Sequence, residues 1–157
     1  MTPILCITAF RKGTVKMMNR EEIKNILPHR EPMLLLDSAY LDEDGVAHGE
    51  YTVKGDEWFL QGHFPGNPVV PGVMQCEMAG QTCCVLFADE MKSKTPFFTG
   101  INKVKFRNPV RPGDKIEFVC KLQSRVGAFS FVEGKAFVAG KLCMSGEFSF
   151  ALVTGGA

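Results

Sequence analysis

Residues 61–81, QGHFPGNPVVPGVMQCEMAGQ, put a histidine, three prolines and an apolar run with a single carboxylate into one continuous stretch. Pro65, Pro68 and Pro71 lack a backbone donor and fix φ, so residues 62–71 read as a stiff loop, neither helix nor ladder. Pro71 is well suited to start a helix. The run from Gly72 to Glu90 that follows has few polar members, chiefly Gln75, Glu77, Gln81 and Thr82 before Asp89. A helix that is apolar all round must be surrounded by other structure. At about 1.5 Å per residue it would be about 28 Å long, the width of a small domain. Gly72, Cys76, Gly80 and Cys84 recur at every fourth residue, a small-residue stripe where a sheet or second helix can approach closely.

Downstream of Pro96 the patterning changes from helical to period two. FFTGINKVKFRNPV, DKIEFVCKLQSRV, FSFVEGKAFVAG and KLCMSGEFSFALV each read as a strand, separated by Pro112-Gly113, Gly127 and Gly140. Upstream, MLLLDSAY at 33–40 reads as a strand buried on both faces at its start. A turn at Asp44-Gly45 joins it to the alternating VAHGEYTV, an antiparallel hairpin over 33–54. Asn19 and Glu22 form a capping box for a short helix through Ile23, Ile26 and Leu27 that Pro28 stops. One long helix, a hairpin before it and four long strands after it give an α+β fold, an antiparallel sheet curled around a central helix. The expected organisation is a flexible extension over 1–18, one domain over 19–152 and a loose tail over 153–157.

The totals agree with a single soluble domain. The 157 residues are 45% hydrophobic and 22% charged, which excludes disordered and collagen-like chains. No apolar run approaches the roughly 20 residues of a spanning helix, and the first residues lack the charge order of a signal peptide. The expectation is a cytoplasmic protein without membrane attachment. Six cysteines, at 6, 76, 83, 84, 120 and 143, form no CxxC pair. Cys83 and Cys84 point about 100° apart on a helix and would not chelate one metal, so buried, reduced thiols are expected. A net charge of +1 selects no partner, and nucleic-acid binding is disfavoured because the aromatics fall in strand patterns.

Chemistry concentrates in the opening stretch. His29 follows Pro28 at a helix end and His48 lies mid-strand, and both read as structural or solvated residues. His63 differs, because it lies in a loop too rich in Gly and Pro to serve core packing, and fixed loops are where reactive groups gather. An imidazole, whose unperturbed pKa is about 6.5, can serve as a base near neutrality. Glu77 has no Lys or Arg within four residues. A carboxylate buried without a partner has its pKa raised, which suits a general acid. Gln81, one turn on, either hydrogen-bonds Glu77 or a nearby water, or fills the core. The free N–H groups from Gly72 onward face the loop, where the helix dipole favours a carbonyl oxygen gaining charge. Base, acid and oxyanion donors within this span point to an enzyme acting α to a carbonyl, with a binding module as the other class left open.

GHFPGNPVVPGVMQCEMAGQ closely resembles the signature of the 3-hydroxyacyl-acyl carrier protein dehydratases of type II fatty acid synthesis. LPHREPMLLLD at 27–37 and VKFRNPVRPGD at 104–114 resemble that family's flanking motifs in the same order. The resemblance covers residues 19–152 and implies the hot-dog fold, a long helix wrapped by an antiparallel sheet. It implies a catalytic pair of His63 and Glu77 meeting across a homodimer interface, commonly within a trimer of dimers. It places Gly72 at the thioester carbonyl and Gln81 near the carboxylate as substrate-side groups. The implied reaction removes water from a (3R)-hydroxyacyl carrier thioester to give the trans-2-enoyl product. No metal or organic cofactor is implied, the phosphopantetheine arm belonging to the substrate. Glutamate at 77, where related dehydratase-isomerases carry aspartate, favours the simple dehydratase. Gln75-Cys76 and Cys83-Cys84 depart from the more aliphatic or smaller residues usual there, which bears on the tunnel lining and chain-length preference.

Two rivals share the fold class or the ligand, a hot-dog acyl thioesterase and a non-catalytic acyl-thioester binder. Lys103, Lys105, Arg107, Arg111 and Lys115 stand against one carboxylate, Asp114. They form either a docking patch for acidic acyl carrier protein or an outward strand face, since 103, 105 and 107 alternate.

Overall fold

The computed structural model describes residues 15–155. The expected 1–18 extension therefore falls largely outside the described residues, as do Cys6 and the last two residues of the tail. Among these residues, seven strands make one antiparallel sheet in the order β1-β2-β3-β5-β6-β7-β4. They are β1 (Met18–Asn19), β2 (Ser38–Leu41), β3 (Ala47–Thr52), β4 (Lys94–Phe106), β5 (Lys115–Val126), β6 (Phe129–Val138) and β7 (Lys141–Thr154). Two α-helices, α1 (Arg20–Ile23) and α2 (Gly72–Cys84), complete the fold, and α2 packs against β3, β5, β6 and β4. The α+β arrangement expected from the sequence is the one observed.

α1 ends at Ile23, short of the expected Leu27, and β4 begins at Lys94, before the expected Phe97; three further boundaries differ for a physical reason. The α-helix stops at Cys84, and Val85–Phe87 continue as a 3-10 turn, with another at Glu90–Lys92. Tightening to i→i+3 bonds at a helix C-terminus is common, and here Val85, Phe87 and Met91 still reach the core. Second, β2 begins at Ser38, and Met33–Leu36 form no strand. Their backbone groups have other partners: the N–H groups of Met33 and Leu34 donate to Arg30 O, at 2.8 and 3.1 Å, and Leu34 O accepts from Arg20 at 3.0 Å. Third, β7 keeps Val153 and Thr154 in register with Thr95 and Lys94, past the boundary expected at residue 152.

The capping box is present, with Asn19 and Glu22 exchanging two 3.0 Å bonds. The Asp44-Gly45 turn joins β2 to β3, and Asp42 Oδ1 accepts from the N–H groups of Asp44 and Val46 at 2.9 Å each. His48 is the structural residue expected, stacked on Tyr40 at 4.5 Å and bonded to Asp42 at 2.8 Å. Cys76, Cys83, Cys84, Cys120 and Cys143 are buried and free.

The small-residue stripe does admit a strand. A Cβ on Gly72 would lie 2.7 Å from the Phe106 ring, and one on Gly80 would collide with Phe98, so β4 lays two aromatic rings on the helix. On the opposite side Gly49 of β3 meets Thr82, whose hydroxyl would collide with any Cβ there. Thr82 is fully buried and donates to Met78 O at 3.0 Å, so it has no room to yield. Gly49→Ala should lower the unfolding free energy by about 1–3 kcal/mol through overpacking, read as a lower urea midpoint at unchanged slope.

Candidate active site

His63 is half-buried at the end of a chain segment pinned at both sides. Its N–H donates to Leu60 O at 3.1 Å, and its carbonyl accepts from Val69 at 2.8 Å. The imidazole Nδ1 lies 2.7 Å from Val69 O. A carbonyl only accepts, so Nδ1 carries the proton and Nε2 is left bare, the tautomer a base needs. The loop is braced by the third motif. Val70 N–H donates to Val110 O at 2.8 Å, and the Arg111 guanidinium reaches Asn67 Oδ1 at 2.5 Å.

Glu77 projects from α2, its side chain 24% exposed, into a cavity of about 60 Å³. His29, Gln81, Cys84, Phe98 and Phe150 are among its walls. Glu77 is not without a partner. His29 Nε2 is 3.2 Å from Oε1, and the Gln81 amide donates to the same oxygen at 3.0 Å. The raised pKa expected for Glu77 is therefore corrected. The His29 imidazole holds the carboxyl below its ordinary range; burial pushes the other way, and the Gln81 bond adds to the lowering. His29 was read from sequence as structural or solvated, and the structure puts it against the carboxylate instead.

Gln81 is 1% exposed, and its amide is fully committed. Its Nε2 also donates to Met33 O at 2.7 Å, and its Oε1 accepts from Leu35 N–H at 2.8 Å. That geometry holds Glu77 and leaves no group to touch substrate. At the start of α2 the first backbone bonds come from Met74 and Gln75, both to Pro71 O. The N–H groups of Gly72 and Val73 precede them and point out of the helix end. The structure gathers Glu77, Gln81 and His29, whereas His63 does not line their cavity. Of the unusual residues, Cys84 lines it, with its thiol pushed up to about 12 mainly by burial.

The five cations do not act alike. A bulge between Asn102 and Lys105 breaks the expected alternation, and Lys103 takes φ +52°. Lys103 pairs with Glu147 at 3.6 Å, Lys115 with Glu50 at 3.1 Å, and Arg111 holds the His63 loop. Lys105 and Arg107 have no ion pair among the described residues.

A sequence model of the ApeI dehydratase family matches residues 40–147. The 3-hydroxyacyl-acyl-carrier-protein dehydratase FabZ of Clostridium beijerinckii is 42% identical over 141 residues, 87% of this chain and 99% of that relative. The chain belongs to the FabZ dehydratase family. The FabZ of Caldicellulosiruptor saccharolyticus is 43% identical over 139 residues, again 87% of this chain and 99% of the relative. Among solved structures, the dehydratase heterocomplex ApeI:P from Xenorhabdus doucetiae superposes with TM-score 0.72 at 23% identity, covering 83% of this chain and 90% of that one. A point mutant of the fluoroacetyl-CoA-specific thioesterase FlK gives 0.60 at 15%, covering 69% and 85%. At such identities these two show the hot-dog fold alone.

The residue that sequence reasoning missed in this FabZ-family chain is His29. It lies inside LPHREPMLLLD, a motif already singled out, but its contact is made 48 residues along the chain. Replacing Gln81 by Leu should leave Leu35 N–H and Met33 O unpaired in the interior. The expected loss of stability is roughly 2–4 kcal/mol, measured by urea unfolding.

Proposed function

We propose that this chain removes water reversibly from a (3R)-hydroxyacyl thioester on acyl carrier protein, giving the trans-2-enoyl thioester for fatty acid synthesis. The observation that carries the reading is the Nδ1–H bond from His63 to Val69 O at 2.7 Å, which presents a bare Nε2 for the α-proton. The N–H groups of Gly72 and Val73 at the helix start supply donors for the thioester oxygen as it gains charge. Glu77 exchanges a proton with the hydroxyl that leaves as water. The scheme needs no cofactor, because base, acid and oxyanion donors are all groups of the chain itself.

Two chains complete the site in this reading. His63 stands outside the cavity that Glu77 lines, and β4 is an edge strand with Phe97, Ile101 and Phe106 exposed. Pairing of two β4 edges into one continuous sheet covers that surface and brings His63 of each subunit towards Glu77 of the other, as a homodimer or within a trimer of dimers. Lys105 and Arg107 flank Phe106, whose ring lies on Gly72. Free cations beside the oxyanion end fit the docking of an acidic carrier protein. Cytoplasmic placement agrees with the five free thiols among the described residues.

Incubation with a 3-hydroxyacyl carrier thioester should produce enoyl thioester. Release of free thiol without enoyl product would instead make the chain a thioesterase, and no turnover would leave a binder. His63→Ala and Glu77→Gln should each slow turnover by roughly 10²–10⁴-fold. Mixing the two variants under subunit exchange should restore part of the activity, because one of the two sites in a mixed dimer keeps both groups.

A further inference from the structure

The two oxygens of Glu77 are not equivalent. Oε1 faces two nitrogens, Gln81 Nε2 at 3.0 Å and His29 Nε2 at 3.2 Å, while Oε2 has no partner among the described residues. Gln81 can only donate there, since its own oxygen is bound to Leu35 N–H. The His29 state is fixed by its other nitrogen. Nδ1 is buried and has no hydrogen-bond partner. A proton on Nδ1 would be a buried donor with nothing to receive it, which is costly; a bare Nδ1 leaves only an unused acceptor. The arrangement without an orphaned donor is neutral His29 protonated at Nε2.

We propose that His29 is a positioning residue for Glu77: as a neutral imidazole it donates from Nε2 to Oε1, and so reserves Oε2 as the oxygen that exchanges a proton with substrate. Two N–H donors on Oε1 exclude a proton from that atom whether Glu77 is ionised or not. When Glu77 is protonated, the proton therefore sits on Oε2. In the forward direction the α-proton passes to His63 Nε2, the bond from Cβ to oxygen breaks, and the hydroxide takes the Oε2 proton and departs as water. Glu77 is left a carboxylate and His63 an imidazolium, and the proton returns through solvent.

The surroundings add no competing charge. Among the described residues, the other walls of the Glu77 cavity are Gly80, Gln81, Pro96, Phe98 and Phe150, with Cys84 the one further titratable group. The Cys84 thiol stays protonated near neutrality. Arg30, next to His29, turns its guanidinium to the carbonyls of Leu27, His29 and Lys24. The lowered Glu77 pKa agrees with the same donors.

The inference rests on the dehydratase reading for its catalytic meaning, and its test separates the two. The first measurement uses the resting wild-type protein: long-range ¹⁵N–¹H spectra with labelled histidine, the His29 signal identified by its loss in His29→Gln. At neutral pH they should show Nε2 protonated and Nδ1 bare, and the opposite tautomer would overturn the proposal even if no turnover were found. The second compares pH profiles of wild type, His29→Phe and His29→Gln. Loss of the donor raises the Glu77 pKa, so in His29→Phe the acidic limb should move to higher pH while the basic limb stays. kcat should fall roughly 10–100-fold with KM nearly unchanged. His29→Gln keeps a neutral N–H donor and should recover most of both effects. If His29→Phe retains the wild-type acidic limb, or His29→Gln behaves as His29→Phe, His29 is packing alone.

Discussion

Everything near the site depends on how Gln81 satisfies the interior. A helix that is apolar on every side cannot carry an isolated carboxylate, since burying an unpaired charge is costly. Gln81 resolves this by bridging two otherwise separate problems. Its amide donates to Glu77 and to Met33 O, and its oxygen accepts from Leu35 N–H. Met33 to Leu35 are thereby relieved of the need for a strand partner, which is why a run reading as β is instead a connector that buries Leu34, Leu35 and Leu36. The same connector begins at His29, so the bonds that hold residues 33–35 against α2 also set the imidazole beside the carboxylate.

The His63 half is built on the same logic with different parts. Prolines at 65, 68 and 71 deny that loop a ladder, so its backbone groups pair within the loop and with the third motif. Phe64 and Asn67 exchange backbone bonds at 3.0 and 2.9 Å, and Val70 donates to Val110. Val69 serves twice, its N–H on the His63 carbonyl and its carbonyl on Nδ1. One residue thus fixes both the position of the histidine and its tautomer. The three motifs separated in sequence are mechanically one object: residues 27–37 hold the Glu77 carboxylate, 61–81 carry both His63 and Glu77, and 104–114 brace the His63 loop.

What could be read from the sequence follows from range. The four C-terminal strands were legible because period two is a local property, and β4 to β7 lie close to the quoted runs. The helix start was legible from Pro71, but its end was not, since the change to 3-10 geometry after Cys84 leaves the apolar pattern intact. Glu77 was legible as a polar exception on an apolar helix, yet the direction of its pKa was not. That direction depends on His29, and nothing within four residues of Glu77 announces it. Lys103, Lys105 and Arg107 looked like one face because alternation was assumed, and a bulge cannot be seen in residue spacing.

The edge strand connects the site to assembly. Among the described residues β4, 13 residues long, bonds only to β7 and forms an edge of the sheet. An exposed strand of that length with Phe97, Ile101 and Phe106 outward is a surface that native proteins cover or blunt. The same strand lays Phe106 on Gly72 and Phe98 on Gly80, at the start of α2 and in the wall of the Glu77 cavity respectively. Any partner that pairs with this edge therefore sets the position of both rings. In the proposed dimer, assembly through β4 would close the cavity and bring the partner's histidine towards it in one step, because His63 of the same chain does not line the cavity that holds Glu77.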